Sequence, residues 1–172
     1  MIIGIKYCGG CNAVCDDKEN VKKLCVGTQA SMSHLFFKDE VERFAAMTGD
    51  RNKMHMDKVF AQKQWFKKPI VHGMLAASLM SSVMGTLLPG HGTILMEDHI
   101  TYVSPVYFGD TIQATVWFAS CRETKKCYVG TFYGECRNQN GEITAHGTFK
   151  QMMMKNLFYV ENPEEIIEKG YR

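Results

Sequence analysis

Two residue types that move protons and one that only hydrogen-bonds crowd into positions 50 to 55 of the chain: Asp50 and His55, with Asn52 between them, inside the stretch TGDRNKMHMDKVF that begins at Thr48. A carboxylate and an imidazole aimed at one point can hold a water between them, one taking its proton while the other orients it. Further on, HGM at 72 to 74 opens the longest apolar stretch in the protein. A helix starting there presents free backbone N–H groups and the positive end of its dipole, which suits a developing oxyanion. Together the two segments read as a proton-transfer site beside an oxyanion hole. Taken singly, each residue has a plainer reading: Asp50 and Asn52 as a helix-exit turn, His55 as a structural histidine.

The elements that must position these groups can be read around them. KDEVERFAAMTG places Val41, Phe44, Ala45 and Thr48 at helical spacing, with acidic residues at its start and Gly49 as its stop. Asp50 and His55 therefore fall on a loop between this helix and a short helical pattern capped by Asp57. The stretch from Gly73 carries Met74, Leu75, Leu79, Met80, Val83, Met84, Leu87 and Leu88, apolar on every side, which predicts a helix buried all round. It is too short and too rich in Ser and Gly for a membrane span, which wants roughly twenty apolar residues. TQASMSHLFF reads as a strand, and four later runs alternate at period two. In them Ile112, Ala114, Val116 and Phe118 share one face and Ile143, Ala145, Gly147 and Phe149 another. Turn signals at Phe108-Gly109-Asp110, around Arg122-Glu123-Thr124 and at Asn140-Gly141 make the strands mostly antiparallel. The fold class is α+β, a curled antiparallel sheet wrapped around one long central helix.

A chain of 172 residues suits one ordinary core. The formal charge of +2, with no basic run, argues against a nucleic-acid partner. The start, MIIGIKYCGG, has neither a sustained apolar core nor a small-residue cleavage site, so no signal peptide is read and a cytoplasmic location is expected. Residues 1–25 hold four of the seven cysteines and no clean periodicity, and are read as an N-terminal extension. Residues 26–154 form the main domain, and 155–172 a charged C-terminal tail whose last stretch, NPEEIIEKGYR, is expected to be peripheral. An odd cysteine count over a long chain fits reduced thiols. Cys8, Cys11, Cys15 and Cys25 are the alternative, a four-thiolate metal cluster, but a second C-x-x-C is missing and the spacing is unusual for zinc. No metal is expected elsewhere: His34, His91, His99 and His146 lack ligand spacing.

The ordered motifs FAAMTGDRNKMHMD, KPIVHGMLAASLMSSVMG and LPGHGTILMEDHITYVSPVYFGD resemble the R-specific enoyl-CoA hydratases of the MaoC-like dehydratase family, which have the hotdog fold. The resemblance runs from about Val26 to about Met153. It implies reversible hydration of trans-2-enoyl-CoA to R-3-hydroxyacyl-CoA, with no cofactor, by a homodimer or dimer of dimers. Carried over by position, Asp50 and His55 match the pair that activates water, and Asn52 the residue that supports their loop. Gly73 matches the glycine whose N–H receives the thioester oxygen, and Ser81 a serine that helps order the site. The family usually writes Asn-Pro-apolar-His; here Lys53 stands for the proline, which loosens the loop or offers a charge to the substrate. Residue types leave open which of Asp50 and His55 is the base.

His72 reads as a ring that caps the helix, not as a reactive group. Lys67, Lys68, Arg122, Lys125 and Lys126 read as solvated surface or as contacts to coenzyme A phosphates. Two other functions stay open: a hotdog acyl-CoA thioesterase, and a non-catalytic acyl-thioester-binding or scaffold protein.

Overall fold

A computed structural model describes residues 2–6 and 21–163. In chain order the elements are β1 (Ile2–Lys6), β2 (Lys22–Cys25), β3 (Gln29–Leu35), α1 (Lys38–Thr48), α2 (Lys53–Met56), α3 (Lys58–Gln62) and α4 (Gly73–Thr86). Five strands follow: β4 (Ile94–Tyr102), β5 (Thr111–Glu123), β6 (Cys127–Arg137), β7 (Ile143–Met154) and β8 (Phe158–Glu161). Six strands form one antiparallel sheet in the order β1-β3-β5-β6-β7-β4. β2 and β8 make a separate parallel pair.

Period-two alternation explains why the sheet has an inside. Ile112, Ala114, Val116 and Phe118 of β5 are all fully buried, as are Phe132 of β6 and Met153 of β7, and they face α4. Phe118 stacks on Phe132 with ring centroids 4.8 Å apart. Gly134 lets the helix come close: a Cβ there would meet Met80 Sδ at 2.8 Å. Burial of Ala76, Ala77, Leu79, Met80, Val83 and Met84 holds α4 against the sheet.

The helix is not buried all round. Met74, Ser78, Ser81 and Gly85 form an exposed stripe at helical spacing, because the sheet covers only one side of it within a single chain. β4 departs in the same sense. It is the sheet edge, pairs only with β7, and exposes Ile94, Leu95, Met96 and Tyr102 on both of its faces.

The strand pairings also bring in described segments that lie outside residues 26–154. β1 adds to the main sheet beside β3, and β2 pairs with β8. Phe158 and Val160, placed outside the main domain by the boundary at 154, are core residues, while most of NPEEIIEKGYR lies outside the described residues. Of the proposed thiolate cluster, Cys8, Cys11 and Cys15 lie outside the described residues. Cys25 is a disulfide cysteine, which departs from the expectation of reduced thiols; Cys121, Cys127 and Cys136 are free. Burial pushes the Cys136 thiol up to about 12, so it stays protonated at neutral pH. Among the described residues no helix is long and apolar enough to cross a membrane.

Candidate active site

α1 ends as its sequence requires. Gly49 takes the left-handed conformation at φ 82° and donates its N–H to the Ala45 carbonyl. The next residues are held by their own side chains. Asp50 N–H donates to Thr48 Oγ1 at 3.3 Å, and Asn52 N–H donates to Asp50 Oδ1 at 3.2 Å. Asn52 Oδ1 then accepts from Met54 N–H at 3.1 Å and caps α2. His55 thus lies on a one-turn helix rather than on a loop. Lys53 is the first residue of that turn, the position where a proline is best tolerated, and the Asn52 cap supplies order that a proline would otherwise give.

His55 Nδ1–H donates to the Ile70 carbonyl at 2.8 Å. That bond fixes the tautomer: the other ring nitrogen, Nε2, carries the lone pair. Asp50 is half exposed, so its carboxylate stays in contact with solvent on the same side. His72 completes the cluster. It is 2 % exposed, donates Nε2–H to the Asp50 backbone carbonyl at 3.1 Å, and stacks on His55 with centroids 3.9 Å apart. Burial lowers its pKa below the usual 6.5; the Asp50 hydrogen bond opposes that shift, and the neighbouring His55 adds to it. The ring does not cap α4 as expected, since no side-chain bond reaches the helix N–H groups.

Ligand atoms of Asp50, His55 and His72 lie within 4.8 Å of one another, a spacing that raises the question of a cation. Two features of the geometry count against it. His72 Nε2 is engaged as a donor, and the two ring planes are tilted by only 31°, so their in-plane lone pairs do not converge within a metal–nitrogen bond of about 2.0–2.1 Å. The same set suits a water, which needs only hydrogen-bond distances.

Gly73, the next residue, opens α4 and lines a cleft of about 200 Å³ with Phe66, Ile70, Tyr102 and Val106. Tyr102 lies directly over it: a Cβ at Gly73 would stand 3.0 Å from the Tyr102 ring. A side chain at that spot would need the ring to give way by a few tenths of an ångström. Ser81 does not line this cleft; it is exposed on α4, two turns and about 12 Å further along. A second cleft of about 620 Å³ lies across the short bridge between Ile70 and Tyr107. It carries Lys38, Lys58, Lys67 and Lys68 around Met56 and Phe108. Arg122, Lys125 and Lys126 line neither of these two clefts.

Asp50, Asn52 and His55 lie within six residues, and His72, the neighbour of Gly73, joins them. His72 makes no cap bond, and Tyr102 is a neighbour of Gly73 that the sequence reading does not name. The only signal for His72 was its place directly before Gly73; for Tyr102 there was none, since its approach depends on where β4 packs.

Residues 17–138 match the model of the MaoC like domain family. The chain is 38 % identical over 128 residues to an (R)-specific enoyl-CoA hydratase of Aeromonas caviae, covering 74 % of this chain and 94 % of that one. It is 30 % identical over 120 residues to a mitochondrial 3-hydroxyacyl-[acyl-carrier-protein] dehydratase of Arabidopsis thaliana, covering 70 % of this chain and 71 % of the other. A solved structure of an (R)-hydratase from A. caviae involved in PHA biosynthesis superposes with a TM-score of 0.71 at 37 % identity, covering 76 % of this chain and 97 % of that one.

Proposed function

The chain belongs to the MaoC-like family of hotdog-fold hydro-lyases, and from that premise we propose that it adds water reversibly to a trans-2-enoyl thioester, giving the R-3-hydroxyacyl thioester. The observation that carries the reading is the anchoring of His55 Nδ1–H on the Ile70 carbonyl beside the Asp50 carboxylate. It leaves His55 Nε2 as an acceptor, and a water between Nε2 and the carboxylate would be oriented by both.

The steps follow from these groups. Asp50 accepts one hydrogen of the water and orients it. His55 Nε2 takes the other proton as the water oxygen bonds to C3, and the C2=C3 electrons move onto the thioester oxygen as an enolate. Gly73 N–H, at the positive end of α4, meets that oxygen, a donor of a kind typically worth roughly 2.7–4 kcal/mol in the barrier. The imidazolium then returns its proton to C2, so one water is added and His55 ends neutral. The Asp50 carboxylate stabilises the transient imidazolium. Asn52 supports the loop by capping α2. Ser81 takes part only where the substrate runs along the exposed stripe of α4.

A second copy is proposed to cover that stripe and the bare β4 edge. An edge strand that pairs on one side with β7 and exposes Ile94, Leu95, Met96 and Tyr102 is a natural seat for another chain. Light scattering should give the mass of a dimer or a multiple of it; monomer alone at micromolar concentration would overturn this assembly.

The test of the reaction is crotonyl-CoA absorbance on mixing with the protein, with chiral analysis of the product. Loss of the conjugated enoyl band to R-3-hydroxybutyryl-CoA, abolished in Asp50→Asn and His55→Gln, is the expected result. Release of free thiol without hydration would make the protein a thioesterase. No turnover of short or long enoyl-CoA by folded protein would point to a binding role.

A further inference from the structure

Resting on the water site just described, we propose that His72 is a positioning residue for it: the buried ring backs His55 and holds the Asp50 backbone, so that carboxylate and imidazole stay aimed at one water. Three observations converge on this role. Nε2–H of His72 donates to the Asp50 carbonyl across 22 residues, tying the turn after α1 to the first residues of α4. The ring stacks on His55 at 3.9 Å and also packs on Phe44 of α1 at 4.9 Å. Asp50 Oδ2 lies 3.9 Å from the same Nε2, so the one ring touches the backbone and faces the carboxylate of Asp50 and the imidazole of His55.

The second ring nitrogen adds to this. Nδ1 of His72 is buried with no hydrogen-bond partner among the described residues. An unpaired buried polar atom costs stability, and a phenylalanine would fill the same space without that cost. What the imidazole adds over a phenylalanine is its Nε2–H bond to the Asp50 carbonyl. The ionisable groups facing it are His55 on α2 and Asp50 on the preceding turn; Phe44, from α1, carries no charge. His55 becomes an imidazolium during the reaction, and a second cation stacked at 3.9 Å would oppose that. A neutral His72 removes the conflict, while its donor bond keeps Asp50 in register. Misplacement by about 1 Å in such a site costs on the order of a hundredfold in rate.

The test uses His72→Phe, which keeps a ring against His55 and Phe44 but deletes the donor, and His72→Gln, whose amide N–H can reach the Asp50 carbonyl. His72→Phe is expected to lower kcat about 10- to 100-fold, with KM within about twofold and the acid limb of the pH–rate profile displaced; His72→Gln should recover most of kcat. Wild-type kcat and pH profile in His72→Phe, or equal impairment of both variants with an unmoved profile, would overturn the proposal. Nitrogen NMR of the wild-type protein supplies a readout that needs neither turnover nor a folded variant. His72 should hold one tautomer, Nε2–H, and should titrate below the ordinary histidine value of 6.5; an Nδ1–H tautomer, or titration at or above 6.5, would refute it. If wild-type protein hydrates no enoyl-CoA while His72 shows that tautomer, the reaction assignment fails and the positioning geometry stands.

Discussion

Two buried polar side chains stand against opposite ends of α4 and have opposite fates. Gln151, on β7 and 2 % exposed, is satisfied at both ends: its Nε2 donates to Met84 Sδ at 3.1 Å and its Oε1 accepts from Thr93 Oγ1 at 3.1 Å. His72, equally buried, keeps one nitrogen unpaired and leans on a second imidazole. The first arrangement is what a buried amide needs in order to be tolerated. The second spends stability on geometry, which is the pattern of a site rather than of a core. The comparison predicts that damage near His72 shows in the rate, and damage near Gln151 in the melting curve.

The largest effect tests the catalytic end. His55→Gln or Asp50→Asn should lower kcat about 10²- to 10⁴-fold, the usual worth of a positioned proton-transfer group, with little change in melting temperature. A large drop in stability instead would make these residues part of the scaffold and collapse the contrast. Gln151→Ala should do the reverse, costing about 1–3 kcal/mol as Thr93 and Met84 lose their partner, while kcat holds. Denaturant titration beside the same assay measures both.

The pH dependence of stability gives a smaller, signed difference. Burial lowers the His72 pKa below 6.5, so on acidification the unfolded chain takes up that proton before the folded one. Stability should therefore fall as pH drops below about 6.5, down to the depressed folded value, and be fully present above it. His72→Phe should flatten that part of the curve; Gln151→Ala should leave it in place. The smallest effect lies at the lysine-lined cleft, where Lys67→Glu with Lys68→Glu should raise KM for crotonyl-CoA a few-fold at low salt and less at high salt, leaving kcat unchanged.

How much of this was legible beforehand depended on range. The helix stop at Gly49, the cap at Asp57, the start of α4 and the strands from Ile94 to Met154 all rest on signals within a few residues, and they stand where the spacing put them. The all-round burial of α4 failed because apolar residues such as Met74 do not reveal whether a neighbour covers them. The burial of Phe158 and Val160, beyond the domain boundary read at 154, is likewise hidden in the sequence, because β8 pairs with β2, far away in the chain.

By itself the sequence determined which groups exist and their local setting: a carboxylate, a capping asparagine and an imidazole within six residues, and a glycine opening an apolar helix. Propensity, periodicity and capping act between near neighbours, so nearby residues encode them. Only the tertiary structure decided that Ile70 fixes the His55 tautomer, that Tyr102 lies over Gly73, and that His72 joins Asp50 to His55. Those relations arise from how α1, α2 and the start of α4 pack together, and packing distances of a few ångströms between residues 15 to 30 apart are written in no single stretch of the chain.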